Sequence, residues 1–441
     1  MTTAFKNRAP SDSTLSVPQE LIDYILDFLH DDIPTLRTCS LVSHSFLPCT
    51  RYHIYSSVTI VHVDELDLFR ERYAGQLYRS QNLAALLEHS SCVAPLITRL
   101  GMRSMAESMM EDAIDTSLVS IISSLHNLSH IELIAHQSEN FPVVTLTPFL
   151  AALRSVPLKT FIFCAITLET QEQFEDLFTA VANPALKHLS LVCDCGPDWS
   201  PGPYLPVRPP PDGLPALESL CIAGCRTSDN ISWLFFKQSL YDFRGIRHLS
   251  LQLSDNAASP LVRRLLNAMQ GTLESLTLDI EAFTNRSPSS STSALSHTLP
   301  YKVPHLDLSG HRNLSSFFII MASSLDPRLL TVAFNPMLQT LTVEQLCSNW
   351  QRDSRRSVSA WAEFDKHLDR QALLALQRVH VRLHDSVHVG CYWFVCDGCE
   401  FPTDHERWKR QVEDAMPLLK GRNILEVEVV KQRYCIPRAL D

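Results

Sequence analysis

Cys396 and Cys399, separated by two residues, have chelating spacing, and His384, His388, Cys391 and His405 lie near them in the chain. A closed zinc site of this kind normally draws on a second Cys-x-x-Cys pair, and the sequence has none. On a strand running through His388 and Cys391 toward Phe394, alternation would place those two side chains on opposite faces. The segment is therefore predicted to hold no tetrahedral metal. Cys193 and Cys195 form a weaker pair, at a strand end where cysteine is a common small buried residue. No GxSxG or HExxH motif offers a nucleophile or a zinc-activated water, and the 18 histidines are scattered too widely to define a triad. With 12 glycines and no GxGxxG or GxxxxGK[ST] loop, the backbone has no phosphate cradle. The residues predict a chain that is not an enzyme and carries no cofactor.

The 441 residues are 45% hydrophobic and 20% charged, enough to bury one long core or two smaller ones. A formal net charge of −10 without a clustered Lys/Arg surface excludes a general nucleic-acid binder. No stretch approaches the roughly 18 apolar residues of a membrane span, and the start, MTTAFKNRAPSDSTLS, lacks the apolar core of a signal peptide. The 13 cysteines, an odd number without a secreted framework, read as reduced thiols, so a cytoplasmic or nuclear location is expected.

The elements that organise the chain begin at Val17 and end at Tyr55. Ser16 followed by Gln19 has the form of a capping box, with Pro18 in the first turn. Leu21, Ile22, Ile25, Leu26 and Leu29 recur at helical spacing. Pro34 opens a second short helix with Leu36, Cys39, Leu41 and Val42, and Ser43 is placed to cap a third with Phe46, Leu47 and Tyr52. A segment this short has little core of its own, which makes it a docking module that a partner covers.

These residues carry a resemblance. Pro18, Glu20 and Leu21, the Ile25 to Leu29 helix, Cys39-Ser40-Leu41-Val42-Ser43 and Phe46 resemble the F-box of divergent fungal F-box proteins, over about a tenth of the chain. The resemblance implies that Pro18, Glu20, Leu21, Ile25, Leu29, Leu36, Leu41, Val42, Ser43 and Phe46 bind a Skp-family adaptor, and through it a cullin.

Past the module, SSVTIVHV reads as a first strand, and apolar residues from Leu66 to Leu87 predict one or two helices. From Ile97 a unit recurs with apolar residues at offsets zero, three and five, as in Leu186-Lys-His-Leu189-Ser-Leu191. Eleven such units can be placed, the last at Ile424/Val427/Val429, and the first seven start roughly 27 to 31 residues apart. That period with an LxxLxL strand is the signature of leucine-rich repeats, made irregular here because only LESLCIAGC at Leu217 to Cys225 completes the longer form. Helical returns are expected over 169–181 and 258–269.

The expected fold is thus α/β: a disordered leader (1–15), a three-helix F-box (16–56), a strand and helical cap (57–95), and an irregular leucine-rich-repeat solenoid with a curved, mostly parallel sheet (96–435), interrupted by loops at 193–213 and 284–299. Glu132, Ser190, Cys221, Ser250, Thr277, Thr342 and His380 should face the concave side of that sheet. The combination implies a substrate-recognition subunit of an SCF-type cullin-RING ubiquitin ligase, with a protein substrate the sequence does not name. A repeat scaffold without ligase association, and an enzyme whose residues converge only in space, stand as alternatives.

Overall fold

A computed structural model describes residues 17–61, 76–104, 116–140, 143–167, 171–192, 214–223, 241–252, 258–280, 306–321, 332–346, 350–371, 373–384 and 405–430. Three helices come first: α1 (Gln19–Asp27), α2 (Ile33–Val42) and, after a 3-10 turn at His44–Phe46, α3 (Leu47–Ser56). Then follow β1 (Ser57–Val61), β2 (Gln76–Tyr78), α4 (Ser80–His89), β3 (Arg99–Ser104), α5 (Thr116–Ser124), β4 (His130–Asn140), α6 (Val143–Arg154), β5 (Thr160–Thr167) and α7 (Gln171–Val181). The chain continues through β6 (His188–Val192), β7 (Ser219–Ala223), β8 (His248–Gln252), α8 (Ala258–Ala268), β9 (Ser275–Ile280), β10 (Ser316–Met321) and β11 (Thr340–Leu346). It closes with α9 (Trp350–Arg370), β12 (Arg378–His384), α10 (His405–Ala415), α11 (Pro417–Gly421) and β13 (Leu425–Val430).

All 13 strands join one sheet in the order β13 to β3 and then β1 and β2, and each strand pairing is parallel. At about 4.8 Å per strand the sheet runs roughly 58 Å. The fold is α/β and solenoid-like, because each successive strand from β3 to β13 lies beside the one before it.

The offset pattern explains the register. Leu100, Ile131, Phe161, Leu189, Leu220, Leu249, Leu276, Phe317, Leu341 and Val379 sit opposite one another from β3 to β12, all buried against the helices. Because side chains alternate across a strand, the third apolar residue of each unit points to the same face, and the first packs there from the turn before it. The turns repeat as well. The carbonyl of Lys159 accepts the N–H groups of both Lys187 (2.8 Å) and His188 (3.0 Å), and the same forked acceptor recurs at nine consecutive junctions, from Thr98 to Gln339. This satisfies backbone groups that would otherwise be left unpaired as the chain enters each strand.

Three expectations change. The helix α1 starts at Gln19 with Pro18 as its N-cap and no side-chain cap at that position, so Gln19 is the first helical residue rather than the fourth of a capping box, and Ser16 lies outside the described residues. Pro18 serves because its carbonyl accepts from Leu21 and Ile22. Residues Gln76–Tyr78, read as helical, form the edge strand β2 beside β1, and only Ser80–His89 of that stretch is described as helix. The last unit is displaced by two residues: Val379 faces Leu425 and Val381 faces Val427, so Ile424/Val427/Val429 is not the frame used. There α11 runs into β13 through Asn423, whose φ of 57° makes a tight left-handed turn, and the forked acceptor gives way to a single bond from Val379 N–H to the Ile424 carbonyl. The helical returns begin within two residues of their predicted starts, at Gln171–Val181 and Ala258–Ala268. Residues 1–15, the two loop inserts and Cys391, Cys396 and Cys399 lie outside the described residues.

Candidate docking surface

The N-terminal helices have a core separate from the sheet: Leu26, Ile33, Leu36 and Ile54, with Ile22, Leu29, Cys39, Phe46 and Cys49 packed around them. Short polar contacts start α2 and the 3-10 turn and help place α1 and α3. The Asp32 carboxylate accepts from Thr35 N–H (3.1 Å) and Thr35 Oγ1 (2.7 Å) to begin α2, and those bonds hold its pKa below the usual carboxylate value. Ser43 Oγ accepts from Ser45 N–H (3.3 Å) to begin the 3-10 turn, and Thr50 Oγ1 donates to the Phe46 carbonyl (2.8 Å). Gln19 Nε2 donates to the Ser45 carbonyl at 2.8 Å, which draws the start of α1 beside the turn that follows Val42.

With Leu26 turned inward, α1 carries a second apolar stripe on its other side. Leu21, Tyr24, Ile25 and Phe28 fall within an arc of about 100° around the helix axis, and all four are exposed, Phe28 by 70%. The Tyr24 and Phe28 rings meet edge to face, with centroids 4.9 Å apart. At the end of α2, Leu41 is 87% exposed and Val42 70%. Val17 and Tyr52 are exposed too. Among the described residues, eight of the eleven exposed large hydrophobic side chains lie in this short module. Monomeric surfaces rarely gather apolar groups this way without a partner.

The predicted adaptor-binding residues divide into two groups. Pro18, Glu20, Leu21, Ile25, Leu41 and Val42 are exposed and available for contact. Leu29 and Phe46 are half-buried against the module's core, and Ser43 is occupied as a cap. Leu36 is corrected: it is 0% exposed at the centre of that core, so its side chain supports the surface rather than forming it. Tyr24 and Phe28, outside the predicted set, lie on the same exposed stripe, which the sequence signals by helical steps of three and four from Leu21.

The face of the sheet opposite the buried apolar rows is the other broad surface among the described residues. Glu132, Ser190, Cys221, Ser250, Thr277, Thr342 and His380 fall on one cross-strand row, as their spacing predicts, with Ile162 and Phe318 completing it. Charges around it are paired across strands rather than gathered by sign: Arg103 with Glu132 (2.7 Å), Lys187 with Glu218 (3.2 Å), Arg378 with Glu426 (2.9 Å) and Arg382 with Glu428 (3.2 Å). On the neighbouring row, burial, helped by Arg99 and His188, pushes His130 down to about 4.

No protein-family model matches the chain, and no curated protein matches it. Among the described residues, no helix is long and apolar enough to cross a membrane.

Proposed function

We propose that the chain is the substrate-recognition subunit of an SCF-type cullin-RING ubiquitin ligase. In this reading the N-terminal helices are an F-box that docks a Skp-family adaptor, and the irregular leucine-rich-repeat sheet presents the face opposite its buried apolar rows to a protein substrate. The observation that carries it is the concentration of exposed apolar side chains on α1 and at the end of α2, over a core of four buried apolar residues. A surface of that composition is stabilised when a partner removes it from water, by about 1.5–3 kcal/mol for each large side chain fully covered. The F-box resemblance names the partner. The mixed, paired charges of the sheet favour a folded protein surface over a polyanion, since phosphate backbones select unpaired clusters of Lys and Arg.

Such a receptor catalyses nothing and needs no cofactor. Its mechanism is proximity: tethering the substrate near a charged conjugating enzyme raises the effective concentration of substrate lysines. The test is binding of the purified full chain to a Skp-family adaptor. A stoichiometric complex is expected, and Leu21→Ala should weaken it about 30-fold, corresponding to ~2 kcal/mol. An unmutated chain that binds no such adaptor would end this reading and leave a repeat scaffold without ligase association.

A further inference from the structure

The C-terminal end of α1 meets α3 at a mixed ligand set. Asp27 Oδ1 lies 2.8 Å from His53 Nε2 and 3.8 Å from Cys49 Sγ, and the three ligand atoms all fall within 4.8 Å of one another. Cys49 and His53 are four residues apart on α3, which sets them on one helix face. We infer that Asp27, Cys49 and His53 form a site for a divalent transition ion of the zinc class, joining α1 to α3.

The geometry suits such an ion. Tetrahedral zinc with ordinary bond lengths separates an oxygen and a nitrogen ligand by about 3.3 Å, and an oxygen and a sulfur by about 3.5 Å. The observed 2.8 and 3.8 Å are within about half an ångström of those values, and Cys49 Sγ and His53 Nε2 lie within 4.8 Å of each other, so binding draws the three ligands together by side-chain adjustment. One sulfur, one nitrogen and one oxygen select zinc-like ions over calcium or magnesium, which take oxygen ligands. Three protein ligands leave a fourth position for water.

Acidic residues dominate the chain around α1, with Arg37 and Arg51 the cations nearest the three ligands in sequence. Between Val17 and Leu36 the sequence has five acidic residues, namely Glu20, Asp23, Asp27, Asp31 and Asp32, and no Lys or Arg. The site also sits at the negative end of the α1 dipole. Cys49 Sγ also lies 3.8 Å from the Asp23 carbonyl oxygen. His30 lies beside the set, its ring centroid 6.5 Å from that of His53, but its nitrogens are engaged with the Asp27 carbonyl (2.8 Å) and Asp31 (3.0 Å).

This inference stands apart from adaptor docking, since a metal clamp needs no partner. Its role is to stabilise a module whose separate core is small, a deficit that metals commonly make good in domains of this size.

The test is titration of the chelator-treated full chain with Co2+, following the thiolate-to-cobalt charge-transfer band. Wild type should bind one equivalent more than Cys49→Ala or His53→Ala, and each variant should lose the matching part of the band. Cys396→Ser with Cys399→Ser should keep the band that Cys49 contributes. Asp27→Asn is the folding control, because Asp27 has a 61% exposed side chain, and its affinity for the ion should fall at least tenfold. Equal stoichiometry and equal band intensity in wild type and Cys49→Ala, with Asp27→Asn binding as wild type, would overturn the inference.

Discussion

Asp365 is a single buried carboxylate that joins two elements. Its oxygens accept from Leu418 N–H (2.8 Å) and Leu419 N–H (3.0 Å), so one side chain on α9 caps the start of α11 and positions the approach to β13. Asp365→Ala leaves both amides without their acceptor and should lower stability by about 2–3 kcal/mol in urea unfolding. Asp365→Asn, which keeps one acceptor oxygen, should lose less. His130 supplies the pH dependence at this scale. Its folded pKa, near 4, lies below the ordinary histidine value of about 6.5, so between those limits the unfolded chain binds the proton and the folded one does not. Stability contributed by neutral His130 should be full above pH 6.5 and fall as the pH drops toward 4. His130→Gln should flatten that part of a stability-versus-pH curve relative to wild type.

At the scale of the element, α1 is exposed on one side and a core element on the other, and substitutions should separate the two roles. Leu36→Ala opens a cavity under α1 and α3 and should cost about 2–5 kcal/mol of module stability, read as faster amide exchange across residues 19–56. Leu21→Ala removes an exposed side chain and should leave exchange and melting temperature within about 0.5 kcal/mol of wild type, while adaptor binding falls. Comparable destabilisation by both substitutions would mean that the outer stripe of α1 is covered within the chain.

For the whole molecule, the sheet is a one-dimensional stack in which each strand contacts its neighbours. Tyr55, at the end of α3, packs against both the module's core and that of the sheet. In a stack of this kind, damage spreads to adjacent units before it reaches distant ones. Leu249→Ala in β8 should cost about 2–5 kcal/mol and raise amide exchange in β7 and β9, leaving α1 and α2 unchanged. Uniform acceleration of exchange through both cores would show a single cooperative unit instead.

The repeat was legible in the chain because its strands obey a local rule. Three apolar residues at offsets zero, three and five reveal which face is buried, and parallel stacking of near-identical units then follows from burying that face. Ten of the eleven placed units keep their frame, including those after the wide gaps. The eleventh failed because Ile424, Leu425, Val427 and Val429 offer two apolar frames, and only pairing with β12, through the turn at Asn423, selects between them. The outward stripe of α1 lies in the sequence as steps of three and four, yet an apolar side chain reads alike whether it is buried or bare. Packing against Ile33, Leu36 and Ile54 decided that Leu26 turns inward and Tyr24 and Phe28 outward. The Asp27, Cys49 and His53 set was invisible for the same reason: residues more than 20 positions apart share a site only after α1 and α3 close on each other.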